Sequence, residues 1–338
     1  MINVLQVGLG PMGLQVVNYI AERKNIKIVG GVDIDPQKAG KTLNRICDFE
    51  APDVPIYESV LAAVKKVQPD VAILTTVSSL AKIEPQIAAI AEQRLDIVST
   101  CEELTYPWKT APEIARRIDE TCKKQGISCV ATGVNPGFLM DYLPSVLTSV
   151  CQRVDKVEVS RIQDASPRRK PFQQKIGVGL SRDEFEERRA SISHVGLPES
   201  VWMIAGALGW ELDEVDESLH PVITDKKVSD GADILEAGQN RGVEQRAIGY
   251  RDGKKVINLK FRAAIAEPEP HDTVEITGQP SFKSTIPGGI NGDIATAAIT
   301  INAVRSVQKL DAGLKTMLDI SVPACSSELK SELKRKYV

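Results

Sequence analysis

An apolar run, Ile2-Asn3-Val4-Leu5-Gln6-Val7, leads without a break into Gly8-Leu9-Gly10-Pro11-Met12-Gly13 and then into a helix-forming stretch that ends near Ala21. A G-x-G-x-x-G spacing between a strand and a helix restricts the fold severely. The first glycine permits the tight turn, the second lets backbone approach a pyrophosphate, and the third allows close helix–strand packing, while the helix N-terminus faces the negative charge. Twenty residues after Gly13, Asp33 ends a second apolar run, Ile26–Val32. An acid there accepts hydrogen bonds from the adenine-ribose hydroxyls and repels a 2′-phosphate, which favours NAD, with Lys38 or Lys41 as cations that accommodate NADP. The candidate cofactor-binding residues are Gly8, Gly10, Pro11, Met12, Gly13 and Asp33, together with Thr75 and Thr76 at the end of another strand. The bland alternative is a plain strand-turn-helix in which Asp33 and Asp35 are turn and cap residues.

The chain goes on alternating short β-branched runs with helical stretches, the pattern of parallel βαβ units. Strands are expected at Ile2–Val7, Ile26–Val32, Val71–Thr75, Ile97–Thr100 and Ser128–Ala131, and helices at Gly13–Ala21, Ser59–Lys66, Glu84–Gln93 and Ala111–Lys123. Beyond Asn135-Pro136-Gly137 the pattern turns to mixed α+β. Val154–Arg161 reads as a strand, Ser200–Leu208 as a helix, and Val243–Ala266 as a hairpin turning at Arg251-Asp252-Gly253, with Ile257, Leu259 and Phe261 alternating against Asn258, Lys260 and Arg262. Ile294–Val307 is an apolar helix, and Ser327–Lys336 a solvated terminal one. The expected class is α/β, with an N-terminal Rossmann doubly wound parallel sheet followed by a second α+β domain carrying a mixed or antiparallel sheet. The expected boundaries are 1–150 for the nucleotide domain, 151–300 for a substrate and oligomerisation domain, and 301–338 for a segment packing back toward the first.

Composition narrows the partners. The net charge is −3 with no strongly basic block, which argues against nucleic acid, and no apolar stretch reaches the ~18 residues of a membrane span. Six cysteines without C-x-x-C spacing read as reduced thiols of a cytoplasmic protein, and no His/Cys/Asp/Glu set has metal-ligand spacing, so no catalytic metal is expected. A half-exposed sheet in the second domain suggests a homodimer. A small-molecule substrate is the remaining partner.

The strand candidate Ile97–Thr100 runs into adjacent carboxylates, Glu102 and Glu103. Elsewhere such a pair would be a helix cap or a solvated surface feature. Here it follows the fifth strand of a dinucleotide fold, at the carboxyl end where such sheets bind ligands. Where that position holds lysine, the group assists proton transfer at a hydroxyl or carbonyl. A carboxylate instead suits a cationic substrate, because ammonium and iminium ions pair with it. Glu103, the residue that overlays the lysine position, is the first candidate for catalysis and Glu102 the second.

Several segments together, Ser99-Thr100-Cys101-Glu102-Glu103-Leu104, Gly133-Val134-Asn135-Pro136-Gly137-Phe138, Asp164-Ala165-Ser166, Lys175-Ile176-Gly177, His194-Val195-Gly196-Leu197 and Gly313-Leu314-Lys315-Thr316-Met317-Leu318-Asp319, are spread over almost the whole chain. In these the sequence resembles the 2,4-diaminopentanoate dehydrogenase family and the related native amine dehydrogenases, within the dihydrodipicolinate-reductase-like group. The resemblance implies NAD(P)-dependent oxidative deamination of an amine and the reverse reductive amination of a ketone by ammonia, with the catalytic glutamate in the acidic pair. It also favours a substrate-pocket role for Asn135, Pro136, Phe138 and His194. Arg161, Arg168, Arg169 and Lys175 form a cationic cluster around Asp164-Ala165-Ser166, of which Arg161 is the candidate for pairing a substrate carboxylate. Two rivals remain: a dihydrodipicolinate-reductase-like imine reductase, disfavoured because His194, His220 and His271 are isolated, and a non-catalytic NAD(P) sensor.

Overall fold

The computed structural model describes residues 1–168, 170–189, 192, 196–229 and 234–325. The chain divides into two compact units, one formed by Met1–Gly137 and the chain from Asn291, the other by Phe138–Ile290. The divisions thus fall at 137/138 and 290/291 instead of 150 and 300. The expected terminal helix Ser327–Lys336 lies outside the described residues.

The first unit opens with β1 (Ile2–Val7), α1 (Pro11–Ala21), β2 (Ile26–Val32), β3 (Ile56–Tyr57), α2 (Val60–Val64), β4 (Val71–Leu74), α3 (Leu80–Ala91) and β5 (Asp96–Ser99). A 3₁₀ turn over Glu102–Leu104 follows, then α4 (Pro107–Thr110), α5 (Pro112–Gln125) and β6 (Ser128–Ala131). β4 and β6 are buried along their whole length and β5 over Ile97–Ser99, which is why they read as short apolar runs without alternation. α5 ends on Gly126 at φ +70°, a left-handed C-cap that turns the chain back into β6. Its buried stripe, Ala115, Ile118 and Cys122, packs into the same apolar cluster as Ile83, Ile87 and Ile90 of α3.

α3 starts earlier than the sequence suggests. Pro85 reads as a first-turn residue, but the helix already begins at Leu80, so the proline sits inside it. The early turn exists because the Leu80 N–H is held at 2.6 Å by a carboxylate from another loop, that of Glu103.

The second unit contains α6 (Tyr142–Leu147), β7 (Arg153–Asp164), α7 (Lys170–Lys175), α8 (Arg182–Arg188) and α9 (Leu197–Leu208). Seven strands follow: β8 (Glu214–Ile223), β9 (Val228–Ser229), β10 (Ile234–Leu235), β11 (Asn240–Arg251), β12 (Lys254–Ala264), β13 (His271–Gln279) and β14 (Phe282–Pro287). Six strands form one mixed sheet in the order β14-β13-β7-β12-β11-β8, in which only β7 and β12 are parallel, and β9 pairs with β10 separately. β11 and β12 meet at Arg251↔Lys254 across Asp252 and Gly253, both at positive φ, a two-residue turn whose twist suits a hairpin. Ile257, Leu259 and Phe261 are buried, on the face that α9 covers, and Asn258, Lys260 and Arg262 are half-buried.

The chain then returns to the first unit as α10 (Gly292–Val307) and β15 (Gly313–Lys315). Asn291 caps α10 by accepting from the N–H groups of Asp293 and Ile294. α10 packs on α1 and on β5, and β15 extends the parallel sheet to seven strands in the order β15-β6-β5-β4-β1-β2-β3.

Arg161 is corrected by the structure. Its side chain is 1% exposed on β7, with Nη1 at 2.8 Å from Asp272 Oδ1 and Nη2 donating to the Ile290 carbonyl at 2.9 Å. Asp272 accepts the Ile290 N–H at 2.8 Å, so the pair clamps one residue on both sides. A guanidinium committed in this way is a brace of the second sheet and is not free to receive a substrate carboxylate. Arg161→Met, which leaves Asp272 buried and unpaired, should cost about 3–5 kcal/mol in urea unfolding, and Arg161→Met/Asp272→Leu should recover most of it. A single-variant loss below about 1 kcal/mol would contradict the buried pair.

Candidate nucleotide and catalytic site

The glycine turn is braced from below. Gly8 sits at φ +89°, and a Cβ there would lie 2.7 Å from Thr76 Cγ2 and 2.9 Å from the Thr75 carbonyl oxygen. A Cβ on Gly13 would overlap the Gly8 carbonyl oxygen. That oxygen accepts from Gln6 Nε2 at 3.0 Å and Thr75 Oγ1 at 3.0 Å, and Gln6 also donates to Thr75 Oγ1 at 2.8 Å. Gln6 was not among the sequence candidates; its signal was a polar side chain in an otherwise apolar run, which is fully buried here. Pro11 occupies the first turn of α1, where a missing N–H costs nothing, and Met12 is half-buried beside it.

Gly10 behaves differently from the other two. It has ordinary extended backbone as the N-cap of α1, and a Cβ there would meet nothing within 4 Å. The protein's own packing does not require glycine at this position, whereas a pyrophosphate pressed against the helix N-terminus does. The cradle therefore fits a dinucleotide.

Asp33, directly after β2, completes that end of the site. Its Oδ2 accepts from the Leu9 N–H at 2.9 Å and its Oδ1 from the Asp35 N–H at 2.9 Å, so the acid is fastened to the glycine turn. Burial works against its charge, but the Asp35 and Leu9 N–H groups and the Lys38 ammonium hold the carboxyl below its ordinary value. It is ionised at neutral pH.

The sheet order carries the site onward across the carboxyl ends of β2, β1, β4, β5 and β6. Backbone rungs tie those ends together: Thr75 N–H to the Val7 carbonyl at 2.9 Å, Thr100 N–H to Leu74 at 3.1 Å, and Thr132 N–H to Ser99 at 2.8 Å. Neighbouring strands lie ~4.8 Å apart, so β5 stands roughly 10 Å from β1, within the span of an extended dinucleotide. Thr75 faces the glycine turn, and exposed Thr76 donates to Gln86 Oε1 at 2.7 Å. After β5 the 3₁₀ turn presents Glu102 and Glu103, both half-buried. Glu103 Oε2 is the oxygen that holds the Leu80 N–H. Cys101, next to the pair, donates to the Ser78 carbonyl, and burial pushes its thiol up to about 12, so it is no nucleophile at neutral pH.

Beyond β6, Thr132 Oγ1 and both amide atoms of Asn135 are buried with no hydrogen-bond partner among the described residues. Thr132, only 2% exposed, was also missed by the sequence reading. Unsatisfied buried groups of this kind cost about 1–3 kcal/mol each, so three in one short segment at a sheet's carboxyl end point to a ligand. Pro136 is buried beside them, after a cis peptide.

The remaining candidates lie elsewhere. Phe138 belongs to the second unit, its ring 6.0 Å from that of Tyr142, and Arg161 is the sheet brace already described. Of the expected cationic cluster, Arg168 stacks on Phe172 at 3.9 Å and lies near enough to Arg161 for the two charges to oppose each other, while Asp164 closes a turn with Ser166. His194 and Arg169 lie outside the described residues. Among the described residues no group of three His, Cys, Asp or Glu side chains could hold a metal ion, and no helix is long and apolar enough to cross a membrane.

A seven-stranded Rossmann-type sheet with a braced glycine turn, joined in sequence to a mixed-sheet unit, defines a two-unit protein of the Rossmann-type nucleotide-binding class. Known proteins narrow the class. Residues 138–336 match the model of the 2,4-diaminopentanoate dehydrogenase C-terminal domain, and residues 1–95 match that of a CoA binding domain. Coenzyme A shares an adenosine diphosphate moiety with the dinucleotides. The chain is 30% identical over 335 residues to 2,4-diaminopentanoate dehydrogenase of Acetoanaerobium sticklandii, covering 95% of this chain and 94% of that protein. It is 24% identical over 360 residues to an amine dehydrogenase of Streptomyces virginiae, covering 95% and 96%. The solved amine dehydrogenase of Mycobacterium smegmatis superposes with a TM-score of 0.83 at 20% identity, over 96% of this chain and 97% of that one, which establishes a shared fold. The chain belongs to the 2,4-diaminopentanoate dehydrogenase family.

Proposed function

We propose that this enzyme, an oxidoreductase acting on amine donors, oxidatively deaminates 2,4-diaminopentanoate or a related amine to the ketone and ammonia, and catalyses the reverse reductive amination. The observation that carries the reading is Glu103, a carboxylate anchored at the carboxyl end of β5 by one oxygen, in line with the glycine turn of β1. A nicotinamide dinucleotide held by the glycine turn would supply the hydride acceptor for the amine carbon. Water supplies the ketone oxygen, so each turnover converts an alkylammonium, water and oxidised cofactor into ketone, ammonium, reduced cofactor and one proton.

The chain's own residues handle protons and placement. Glu103 pairs with the substrate ammonium and takes a proton to leave the neutral amine; once that proton has passed to solvent, the carboxylate takes another from the water that adds to the iminium carbon and returns it to the nitrogen as ammonia leaves. In amination it holds ammonia and returns a proton as the carbinolamine loses water. Glu102 is the second candidate for the same work. The Asn135 amide and Thr132 hydroxyl supply the unmatched donors and acceptors that orient the reacting molecules, with Pro136 as an apolar wall beside them. Gly8, Gly10, Pro11, Met12 and Gly13 hold the pyrophosphate, Thr75 and Thr76 the nicotinamide side, and Asp33 the adenosine ribose, with NAD preferred over NADP. We place the enzyme in the cytoplasm as a homodimer, supported by the half-exposed polar face of the second sheet.

The test is oxidation of NADH with ammonium and either 4-oxopentanoate or 2-amino-4-oxopentanoate. Saturable turnover that depends on both ammonium and the oxo acid supports the reading. Tight NADH binding without turnover on any oxo compound in a broad panel would replace it with a nucleotide sensor.

A further inference from the structure

The strand-end acid that should exclude a 2′-phosphate does not stand alone. Lys38 Nζ lies 3.3 Å from Asp33 Oδ2, 3.8 Å from Asp35 Oδ2 and 3.2 Å from the Leu9 carbonyl oxygen. The lysine is delivered by a compact turn: Asp35 accepts the Gln37 N–H on its side chain, and its carbonyl accepts the Lys38 and Ala39 N–H groups. The Asp33 carboxylate is 12% exposed and the Lys38 side chain 28% exposed. Asp33 already accepts two backbone N–H groups and the ammonium, which leaves about one of its four acceptor positions for a ribose hydroxyl.

A bare carboxylate rejects NADP by like-charge repulsion at short range. Here an ammonium on a flexible stem touches the oxygen concerned, and it can exchange one anionic partner for another without leaving the glycine turn. We infer that Lys38 sets the cofactor range of this enzyme, pairing with Asp33 when NAD is bound and turning to the 2′-phosphate when NADP is bound. Lys41, the other cation the sequence suggested, enters this turn through its backbone, its N–H donating to the Lys38 carbonyl at 3.1 Å and its carbonyl accepting the Ile56 N–H. This inference rests on the proposed dinucleotide site.

Direct binding of NADH and NADPH, followed by cofactor fluorescence without any amine or ketone, tests it. Lys38→Met keeps the aliphatic stem and removes the charge. It should raise the Kd for NADPH at least tenfold and that for NADH less than threefold, and it should flatten the salt dependence of NADPH binding. Lys38→Arg should restore NADPH binding to within a few-fold of wild type. Equal weakening of both cofactors would overturn the inference and reduce Lys38 to a brace of the Leu9 carbonyl, and so would no weakening of either. Failure of the underlying reading looks different, because the wild-type protein would then bind neither nucleotide.

Discussion

Replacing Glu103 by glutamine is expected to lower the steady-state rate of ammonium-dependent NADH oxidation by about 10²–10⁴-fold, the usual contribution of a positioned acid–base group. The substitution is informative because glutamine keeps the shape and an acceptor oxygen. Its carbonyl can still take the Leu80 N–H that Glu103 Oε2 holds at 2.6 Å, so α3 keeps its first turn and only proton transfer is lost. NADH affinity should stay within about twofold, since an acid–base group at the reacting end contributes little to holding the nucleotide. Glu103→Ala removes the cap as well and should cost roughly 1 kcal/mol of stability in addition to the rate. Glu102→Gln is the comparison: a larger loss there than in Glu103→Gln would move the acid–base role to Glu102.

The second large effect separates two glycines that a motif treats alike. Gly10→Ala should leave unfolding stability equal or raise it by about 0.4–1 kcal/mol, because its backbone is ordinary and its Cβ would meet no protein atom. The same variant should weaken NADH binding at least about tenfold, worth ~1.4 kcal/mol, since the methyl would stand where the pyrophosphate approaches. Gly13→Ala should fail in both assays, losing about 1–3 kcal/mol as its Cβ drives into the Gly8 carbonyl and distorts the turn. Calorimetry and fluorescence titration on both variants check the contrast. Gly10→Ala binding NADH as wild type would remove the pyrophosphate from this turn.

What the sequence made legible follows from how local each determinant is. β1, β2 and β6 fall where the apolar runs placed them, and the Asp252-Gly253 hairpin was readable because a two-residue turn needs residues that tolerate positive φ. The start of α3 was not readable, since its first N–H is satisfied by a side chain 23 residues away. Arg161 was misassigned for the same kind of reason. Its partner Asp272 is 111 positions distant, and a list of nearby cations carries no trace of it. Asn135 was chosen by resemblance; that its amide is buried without a hydrogen-bond partner among the described residues is not legible in the sequence. Gln6 and Thr132 went unnoticed because a single polar residue at a buried strand position looks like noise until its hydrogen bonds, or the lack of them, are counted.

The second unit is inserted between β6 and α10, which has a consequence for how the chain is made. Synthesis delivers β1 to β6 first, but the outer neighbour of β6 is β15, at Gly313–Lys315, and the helix that packs on α1 is α10. A nascent chain that has passed Gly137 therefore carries a sheet whose β6 edge lacks β15, and an α1 that lacks α10, until more than 150 further residues have emerged. Open edges invite pairing with other chains. The sheet is begun first and completed last, so a chain ended within the insert leaves the β6 edge and the α1 face exposed, and is expected to aggregate instead of forming a smaller functional domain.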